Sequence, residues 1–323
     1  MNLKSIIILT AKDMKAVHQI ILNQLKSNVH LIHQLGHYII SGGGKNIRPM
    51  ITILVARALG YKGDKHINVA AFIEFIHTAT LLHDDVVDES ILRRGGKTAN
   101  SIFGNAASVL VGDFIYTRSF QMMTELDSVP VLKLMSDATN VIAEGEVLQL
   151  INCNNPDITE SAYMQIIYSK TARLFEAATH ASAIISGANE NQQKALRDYG
   201  RHLGTAFQLI DDLLDYEADS NTFGKKIGAD FDEGKVTLPL LHAMRKGTAE
   251  ESALIRKSIE KGNSRFLFKT IFITLKRCGS LEYTRDKAKA EVKKAIKALD
   301  ILSDTSYRDA LISLAHISIQ RSL

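Results

Sequence analysis

Two stretches of this sequence carry one acidic pattern within apolar surroundings, LLHDDVVD at residues 81–88 and LIDDLLD at residues 209–215. In each stretch the first and last aspartates are four residues apart, so their carboxylates would share one face of a helix. The six carboxylates belong to Asp84, Asp85, Asp88, Asp211, Asp212 and Asp215. Carboxylates among apolar residues are costly unless cations neutralise them, and Mg²⁺ prefers oxygen ligands and keeps waters that substrate phosphates can replace. One such cluster could equally be a solvated acidic face, but its repetition predicts two Mg²⁺-binding motifs.

Apolar residues recur every three or four positions through most of the chain, which is the spacing of amphipathic helices. We predict helices over residues 13–40, 49–60, 67–83, 105–126, 131–151, 160–187 and 192–217, and again from about residue 238 to the end. The chain has only four prolines, and it lacks hairpin dipeptides between alternating strands. The fold class is therefore predicted as all-α. Residues 218–236 are rich in Gly, Asp and Lys without periodicity, and we predict a flexible loop that serves as a lid.

The composition is that of an ordinary globular protein. The chain has 323 residues, 46% hydrophobic and 23% charged, which allows two domains or one large helical domain without disulfides. Cys153 and Cys278 show no metal or redox spacing, and no apolar run approaches the ~18 residues of a membrane span, so we expect a cytoplasmic protein. The net charge of +4 is weak, and no basic block with interleaved aromatics indicates nucleic acid. At most, we expect transient contact with a membrane surface.

Basic residues accompany the acidic motifs. The turn GGGKNIRP at residues 42–49 places Lys45 and Arg48 beside the N–H groups of a helix start, which favours an anion. This turn lacks the spacing of a Walker phosphate loop. Further cations are Arg93, Arg94, Lys170, Lys225 and Lys235. Each alone is typical of a surface charge, but together with the acidic motifs they predict two diphosphate pockets.

These motifs, in this order, resemble those of the trans-polyprenyl diphosphate synthases over essentially the whole chain. The matching segments are GGGKNIRP at 42–49, EFIHTATLLHDDVVDES at 74–90, KTA at 170–172, GTAFQLIDDLLD at 204–215 and GK at 224–225. The resemblance implies a single all-α domain over residues 1–323 with the isoprenoid synthase fold, in which helices surround a deep central cavity. It also implies Mg²⁺ as the cofactor and a homodimer as the usual assembly. The sequence departs from the family pattern at Asn46, where the pattern has a second basic residue, and in the spacing of Gly95-Gly96-Lys97 after Arg94.

The resemblance also implies roles for individual residues. The six aspartates would hold Mg²⁺ against the diphosphates. Isopentenyl diphosphate would be bound by Lys45, Arg48, His77 and Arg94. The allylic diphosphate would be bound by Arg93, Lys170, Thr171, Gln208, Lys225 and Lys235. Lys170, Thr171 and Gln208 would also line the reacting centre as catalytic residues.

The implied activity is elongation of an allylic diphosphate, farnesyl diphosphate, by isopentenyl diphosphate through Mg²⁺-assisted ionisation, condensation and elimination. The growing tail would run down the helix that carries Asp84, past the small side chains of Ala79 and Thr80. A tunnel beyond them would be lined by Phe75, Ile76 and Phe72, about 13–18 Å below the aspartate at 1.5 Å per residue. We therefore predict a long product. The resemblance implies that this product becomes the side chain of a quinone. The resemblance favours eight isoprene units, with seven, nine or ten as alternatives.

Two other functions share part of this pattern. A terpene cyclase would have the first aspartate motif, but its second motif would carry Asn, Ser and Glu, and it would not need the Lys45 and Arg48 pair. A non-catalytic partner subunit would lack aspartates from one motif. Since all six aspartates and both cations are present, the elongating enzyme is the favoured hypothesis.

Overall fold

A computed structural model describes residues 1–93, 95–217, 228–262 and 264–320 of the chain. Almost all of these residues form helices, which confirms the all-α prediction. The helices are α1 (Leu3–Gln24), α2 (His30–Ser41), α3 (Ile47–Ala58), α4 (Lys65–Val87), α5 (Ala99–Phe103), α6 (Asn105–Glu125), α7 (Val129–Asn152), α8 (Glu160–Ile167), α9 (Arg173–Ile185), α10 (Glu190–Glu217), α11 (Ala229–Asp232), α12 (Leu238–Lys246), α13 (Ala249–Lys261), α14 (Phe268–Arg277), α15 (Ser280–Ala298) and α16 (Ser306–Ile319). Within these ranges, none combines the length and apolar character that crossing a bilayer requires.

Five predicted helices are confirmed to within about one turn at each end. The predictions over 49–60, 67–83, 105–126, 131–151 and 192–217 correspond to α3, α4, α6, α7 and α10. Pro49 lies in the first turn of α3, where its missing N–H has no partner to lose. The helix before the glycine-rich turn ends at Ser41, as the run of glycines indicates.

The single helix predicted over residues 13–40 is wrong, because the structure has two helices there, α1 and α2. The first begins earlier, at Leu3, where the side chain of Asn2 accepts a hydrogen bond from the Ser5 N–H. Between the helices, the Ser27 hydroxyl accepts from the Val29 N–H at 3.1 Å. Short polar side chains that bond to nearby backbone compete with helical hydrogen bonds, and the apolar spacing on either side does not reveal this break.

The helix predicted over residues 160–187 is interrupted by a π-helical turn, Tyr168–Ala172, between α8 and α9. The Arg173 N–H bonds to the Tyr168 carbonyl, five residues back. Such turns insert one residue into an α-helix and are frequent at functional sites. This turn carries Lys170 and Thr171, two of the predicted site residues.

One further local prediction needs correction. The lid predicted over residues 218–236 is wrong for residues 229–232, which form α11; residues 218–227 lie outside the described ranges. The described residues also include one short antiparallel ladder, in which β1 (Leu92–Arg93) pairs with β2 (Gly96–Lys97). The strands are too short for residue alternation to signal them.

Contacts group the chain into two compact units. The first comprises Met1–Asp137, Leu174–Gly200 and Ala298–Leu314. Its core forms where α4 packs against α6, α3 and α1. A polar anchor joins three of these helices, because Asp13 accepts hydrogen bonds from Arg57 Nε at 2.8 Å and from His66 Nε2 at 3.1 Å. The buried Tyr199 hydroxyl donates to the Leu311 carbonyl at 2.9 Å.

The second unit comprises Ala138–Arg173, Arg201–Lys297 and Ala315–Leu323. In it α12 packs against α13, α14 and α8. Its apolar core includes Tyr163, Leu209, Leu213, Phe231 and Leu240, all of them buried. The apolar face of α10 that surrounds the second aspartate motif therefore belongs to this core. The prediction of one domain over residues 1–323 stays a prediction.

Candidate active site

The first aspartate motif lies at the C-terminal end of α4 in the first unit. Asp84 and Asp88 are partly exposed, one helical turn apart, whereas the side chain of Asp85 is only 3% exposed. The guanidinium of Arg93 binds Asp85 with both Nε and Nη2 at 2.8 Å from Oδ1. Asp85 therefore holds Arg93, and the first and last aspartates present the carboxylates that a ligand can reach.

Two residues predicted to bind isopentenyl diphosphate are in contact in the first unit. Arg48 Nη1 and His77 Nε2 are 3.1 Å apart, and the Arg48 guanidinium lies 4.6 Å from the centroid of the Phe175 ring. A guanidinium over an aromatic face gains electrostatic attraction and loses freedom to rotate. The structure thus places Arg48 and His77 together, while Arg94 lies outside the described residues.

The glycine-rich turn between α2 and α3 is exposed, and so is Lys45 within it. Asn46 adopts a left-handed conformation with φ of 46° and precedes the first residue of α3. Asn tolerates this conformation better than other residues with a Cβ, because its short polar side chain bonds locally. Its amide nitrogen lies 3.3 Å from His18 Nε2. The departure at position 46 therefore has a backbone explanation.

The second aspartate motif repeats the arrangement of the first on α10, in the second unit. Asp211 is exposed and Asp215 is partly exposed, whereas Asp212 is buried. The Asp215 carboxylate accepts from the Ala229 N–H at 3.1 Å and from the Asp230 N–H at 3.2 Å, and so anchors α11. These bonds explain why residues 229–232 are helical.

Asp212 is fully engaged by two donors inside the second unit. The Tyr163 hydroxyl donates to Oδ2 at 2.5 Å, and Gln208 Nε2 donates to Oδ1 at 2.7 Å. Burial raises the pKa of Asp212 to about 7, and the neighbouring charge of Asp230 acts in the same direction, against these two hydrogen bonds. Of the three aspartates of this motif, Asp212 is the one that is buried and that accepts hydrogen bonds from two side chains.

The π-helical turn carries the remaining predicted catalytic residues. Lys170 Nζ lies 2.7 Å from Glu146 Oε2 on α7, and the Thr171 hydroxyl donates to Gln208 Oε1 at 2.7 Å. Lys235 forms an ion pair with Glu233 at 2.7 Å, and Lys225 lies outside the described residues. The structure thus brings Thr171, Gln208 and Asp212 into one hydrogen-bonded group and fixes Lys170 through Glu146.

Gly145 of α7 allows the π-helical turn to approach this helix closely. A Cβ at position 145 would lie 2.6 Å from Ser169 Cβ and 2.9 Å from the Lys170 backbone nitrogen. Atoms at these distances overlap, so a larger residue must displace the turn. Glycine is therefore needed at position 145 because of the close contact with the π-helical turn, and not because of the conformation of α7.

Replacing Gly145 by alanine is expected to lower kcat about tenfold or more, because the displaced turn moves Lys170 and Thr171. Overpacking of this kind destabilises by about 1–3 kcal/mol, to be seen in thermal unfolding. The matched control is Gly36→Ala in α2, where the nearest atom to the new Cβ, Leu25 Cδ2 at 3.0 Å, is the end of a side chain. Equal kcat in the two variants would contradict the expectation.

Divalent metal fits the donor set of the two motifs. Among the described residues, no three His, Cys, Asp or Glu side chains converge to hold a metal ion by themselves. Mg²⁺ is typically held by one or two carboxylates, with waters and substrate phosphates completing its six positions. Each motif offers two accessible carboxylates as ligands, from Asp84 and Asp88 in the first and from Asp211 and Asp215 in the second. The residues present therefore fit this ion.

The residues predicted to line a tunnel all lie on α4. Phe72, Phe75, Ile76 and Ala79 are buried, and Thr80 donates to the His77 carbonyl at 2.8 Å. A cavity of about 180 Å³ in the first unit is lined by Phe75 together with the face of α4 that carries Thr78 and Leu81. The other four predicted tunnel residues do not line this cavity, and the tunnel stays a prediction.

Sequence reasoning missed four residues that shape the site. Glu146 holds Lys170 from 24 residues away, and Phe175 lies under Arg48. Tyr163 binds Asp212 from 49 residues away, and Gly145 makes room for the π-helical turn. No spacing rule relates residues this far apart, so only the folded chain reveals the pairs.

Comparisons with known proteins identify the family of this chain. The polyprenyl synthetase family model matches residues 29–272. Octaprenyl diphosphate synthase of Escherichia coli (strain K12) is 64% identical over 321 residues, covering 99% of this chain and 99% of that protein. Octaprenyl diphosphate synthase of Haemophilus influenzae is 56% identical over 322 residues, covering 100% of this chain and 98% of that protein.

A solved structure is also similar over nearly the full length. It is the polyprenyl synthase from Caulobacter crescentus CB15, complexed with calcium and isoprenyl diphosphate. Its TM-score to this chain is 0.95 at 41% sequence identity, and the match covers 99% of this chain and 98% of that one. This chain therefore has the isoprenoid synthase fold and belongs to the polyprenyl synthetase family.

Proposed function

We propose that this protein is a trans-prenyltransferase that elongates farnesyl diphosphate with isopentenyl diphosphate units to octaprenyl diphosphate. The observation that carries the proposal is the duplicated aspartate motif. In both copies the first and last carboxylates are accessible and the middle one is buried, on α4 and on α10. Two such motifs suit a diphosphate substrate whose charge must be neutralised by Mg²⁺. The 64% identity to an octaprenyl diphosphate synthase supports the choice of product.

Residues of each unit have separate tasks in this proposal. In the first unit, Arg48 and His77 would bind isopentenyl diphosphate together with Lys45, and Arg93, held by Asp85, would contact the allylic diphosphate. In the second unit, Lys170 would contact the allylic diphosphate while Glu146 fixes its position. Arg94, Lys225 and Lys235 complete the predicted set of cations.

The reaction begins when the allylic carbon–oxygen bond breaks. Bound Mg²⁺ would neutralise the negative charge that grows on the leaving diphosphate. The cationic side chains stabilise the same charge, and Thr171 and Gln208 would line the carbon that becomes positive. The double bond of isopentenyl diphosphate then attacks this carbon, and the departed diphosphate can take the proton that is lost. No side-chain base is required.

We further propose a homodimer. Apolar side chains of α5 and α6 in the first unit are exposed, among them Ile102 and Leu110, at 46% and 66%. Exposed apolar residues close together are typical of interaction surfaces. Light scattering of the purified protein would give twice the chain mass. We also propose a cytoplasmic location for the protein and a quinone as the acceptor of its product.

The test of the proposed function is a product analysis. Purified protein is incubated with Mg²⁺, farnesyl diphosphate and labelled isopentenyl diphosphate, and the dephosphorylated chains are sized by mass spectrometry. We expect chains of eight isoprene units to dominate. Chains of seven, nine or ten units would keep the reaction and overturn the product length. An absence of incorporation with Mg²⁺ present would overturn the activity itself.

A further inference from the structure

A chain of hydrogen bonds in the second unit links a buried tyrosine to the predicted reacting centre. It runs from Tyr163 on α8 to Asp212 at 2.5 Å, from Asp212 to Gln208 at 2.7 Å, and from Gln208 to Thr171 at 2.7 Å. Tyr163 is 2% exposed and Asp212 is 4% exposed, so water does not replace these bonds easily. Gln208 and Thr171 form the end of this series of hydrogen bonds at which a substrate is expected.

The bonds of this chain fix the orientation of the Gln208 amide. Gln208 Nε2 donates to Asp212 Oδ1 at 2.7 Å, so the nitrogen end of the amide faces Asp212. The Oε1 end then faces Thr171 and accepts its single hydroxyl proton. Thr171 Oγ1 consequently presents lone pairs, and no proton, to its other neighbours.

Tyr163 provides the bond that fixes Asp212 from the interior. The Tyr163 hydroxyl donates to Asp212 Oδ2 at 2.5 Å from a position that is 2% exposed. Its ring belongs to the apolar core of this unit together with Leu209 and Leu213. Because Tyr163 cannot reach a substrate from there, any effect on the reaction must pass through Asp212.

We propose that Tyr163 is a positioning residue for the reacting centre, which orients Gln208 and Thr171 through Asp212. This inference rests on the proposed function, since it assumes that Gln208 and Thr171 line the reacting carbon. Asp212 then serves the site as the middle member of a hydrogen-bonded chain, whatever further contacts its oxygens make.

The test compares kcat and KM in the full-length enzyme. Tyr163→Phe keeps the ring and removes the donor to Asp212. A hydrogen bond to a charged group is worth enough for about a ten- to hundredfold change, and we expect kcat to fall by that factor. The KM for isopentenyl diphosphate should stay within about twofold, because binding of this substrate is assigned to residues of the other unit.

A double-mutant cycle separates positioning from a structural role. In a Gln208→Leu background, Tyr163→Phe should change kcat by less than about twofold, because the residue through which Tyr163 acts is gone. Two independent losses that multiply would overturn the proposal. The control is Tyr199→Phe, which removes the hydroxyl of a buried tyrosine in the first unit. It should lower Tm and leave kcat within about twofold of wild type.

A second variant covers the case in which Tyr163→Phe does not fold. Tyr163→Phe combined with Asp212→Asn removes the donor and the buried charge together, which folds at lower cost than leaving the carboxylate without its donor. We expect its kcat to match that of Asp212→Asn alone to within about twofold, because Tyr163 acts through Asp212, and a further multiplicative loss would overturn the proposal. Failure of the wild-type enzyme to incorporate isopentenyl diphosphate would instead overturn the proposed function, so the two failures are distinguishable.

Discussion

Replacing Asp84 and Asp88 together by alanine is expected to lower kcat on the order of a thousand-fold. These are the two accessible carboxylates of the first motif, one turn apart at the end of α4. Without them, the first unit loses the two accessible carboxylates that are proposed to hold Mg²⁺, and the charge on the leaving diphosphate would be neutralised less. Incorporation of labelled isopentenyl diphosphate measures the loss.

The fold should tolerate this double substitution. Two like charges four residues apart destabilise a helix, and negative charges are unfavourable at its C-terminal end. We therefore expect Tm to stay equal or to rise, and the Tm increase that Mg²⁺ with inorganic diphosphate gives the wild type to shrink. Asp137→Ala, an exposed aspartate of α7, is the matched control and should leave both unchanged. Normal turnover in the double variant would show that the metal assignment is wrong.

Ala79→Tyr is expected to convert a long-chain enzyme into a short-chain one. Ala79 is small and 1% exposed, five residues before Asp84 on α4. If the product tail passes this position, the phenol ring blocks it after a few condensations. The first condensation takes place above the block and should proceed at a rate similar to that of the wild type. Sizing the dephosphorylated products by mass measures the shift.

The same variant also tests whether there is space beside Ala79. In a solidly packed core the ring would force neighbouring side chains aside and cost about 1–3 kcal/mol of stability. A tunnel accommodates the ring, and Tm should then change little. Ala79→Ser keeps the residue small and should keep the product long. A tyrosine variant with normal stability and unchanged chain length would contradict the tunnel argument.

The sequence was sufficient for the class of fold and the position of most helices. Apolar periodicity located α4 and α10 because their buried faces run through several turns. Local interruptions of the helices were not predicted. At the break over residues 25–29 the Ser27 hydroxyl accepts from the Val29 N–H, a local bond that apolar spacing does not signal. The π-helical turn at Tyr168–Ala172 leaves the apolar spacing around it almost unchanged.

For the site, the sequence identified the residue types but not the different environments of the aspartates. The spacing of each motif does not distinguish its three aspartates, whereas in the structure Asp85 and Asp212 are buried and the first and last aspartates of each motif are accessible. Which aspartate is buried follows from the orientation of the helix on its core, and its partners come from distant segments. Asp85 pairs with Arg93, and Asp212 accepts a hydrogen bond from Tyr163. These partners are set by the tertiary structure, and the spacing of the motif does not predict them.

The extra residue in the π-helical turn has a consequence for anyone who recombines such enzymes. A single inserted residue rotates everything after it by about 100° around the helix axis. Deleting one residue between Tyr168 and Ala172 would restore a regular helix, but it would turn either Lys170 or the buried face of α9 away from its present neighbours. Chimaeras between relatives should therefore exchange residues 160–185 as one block, with crossover points placed outside it.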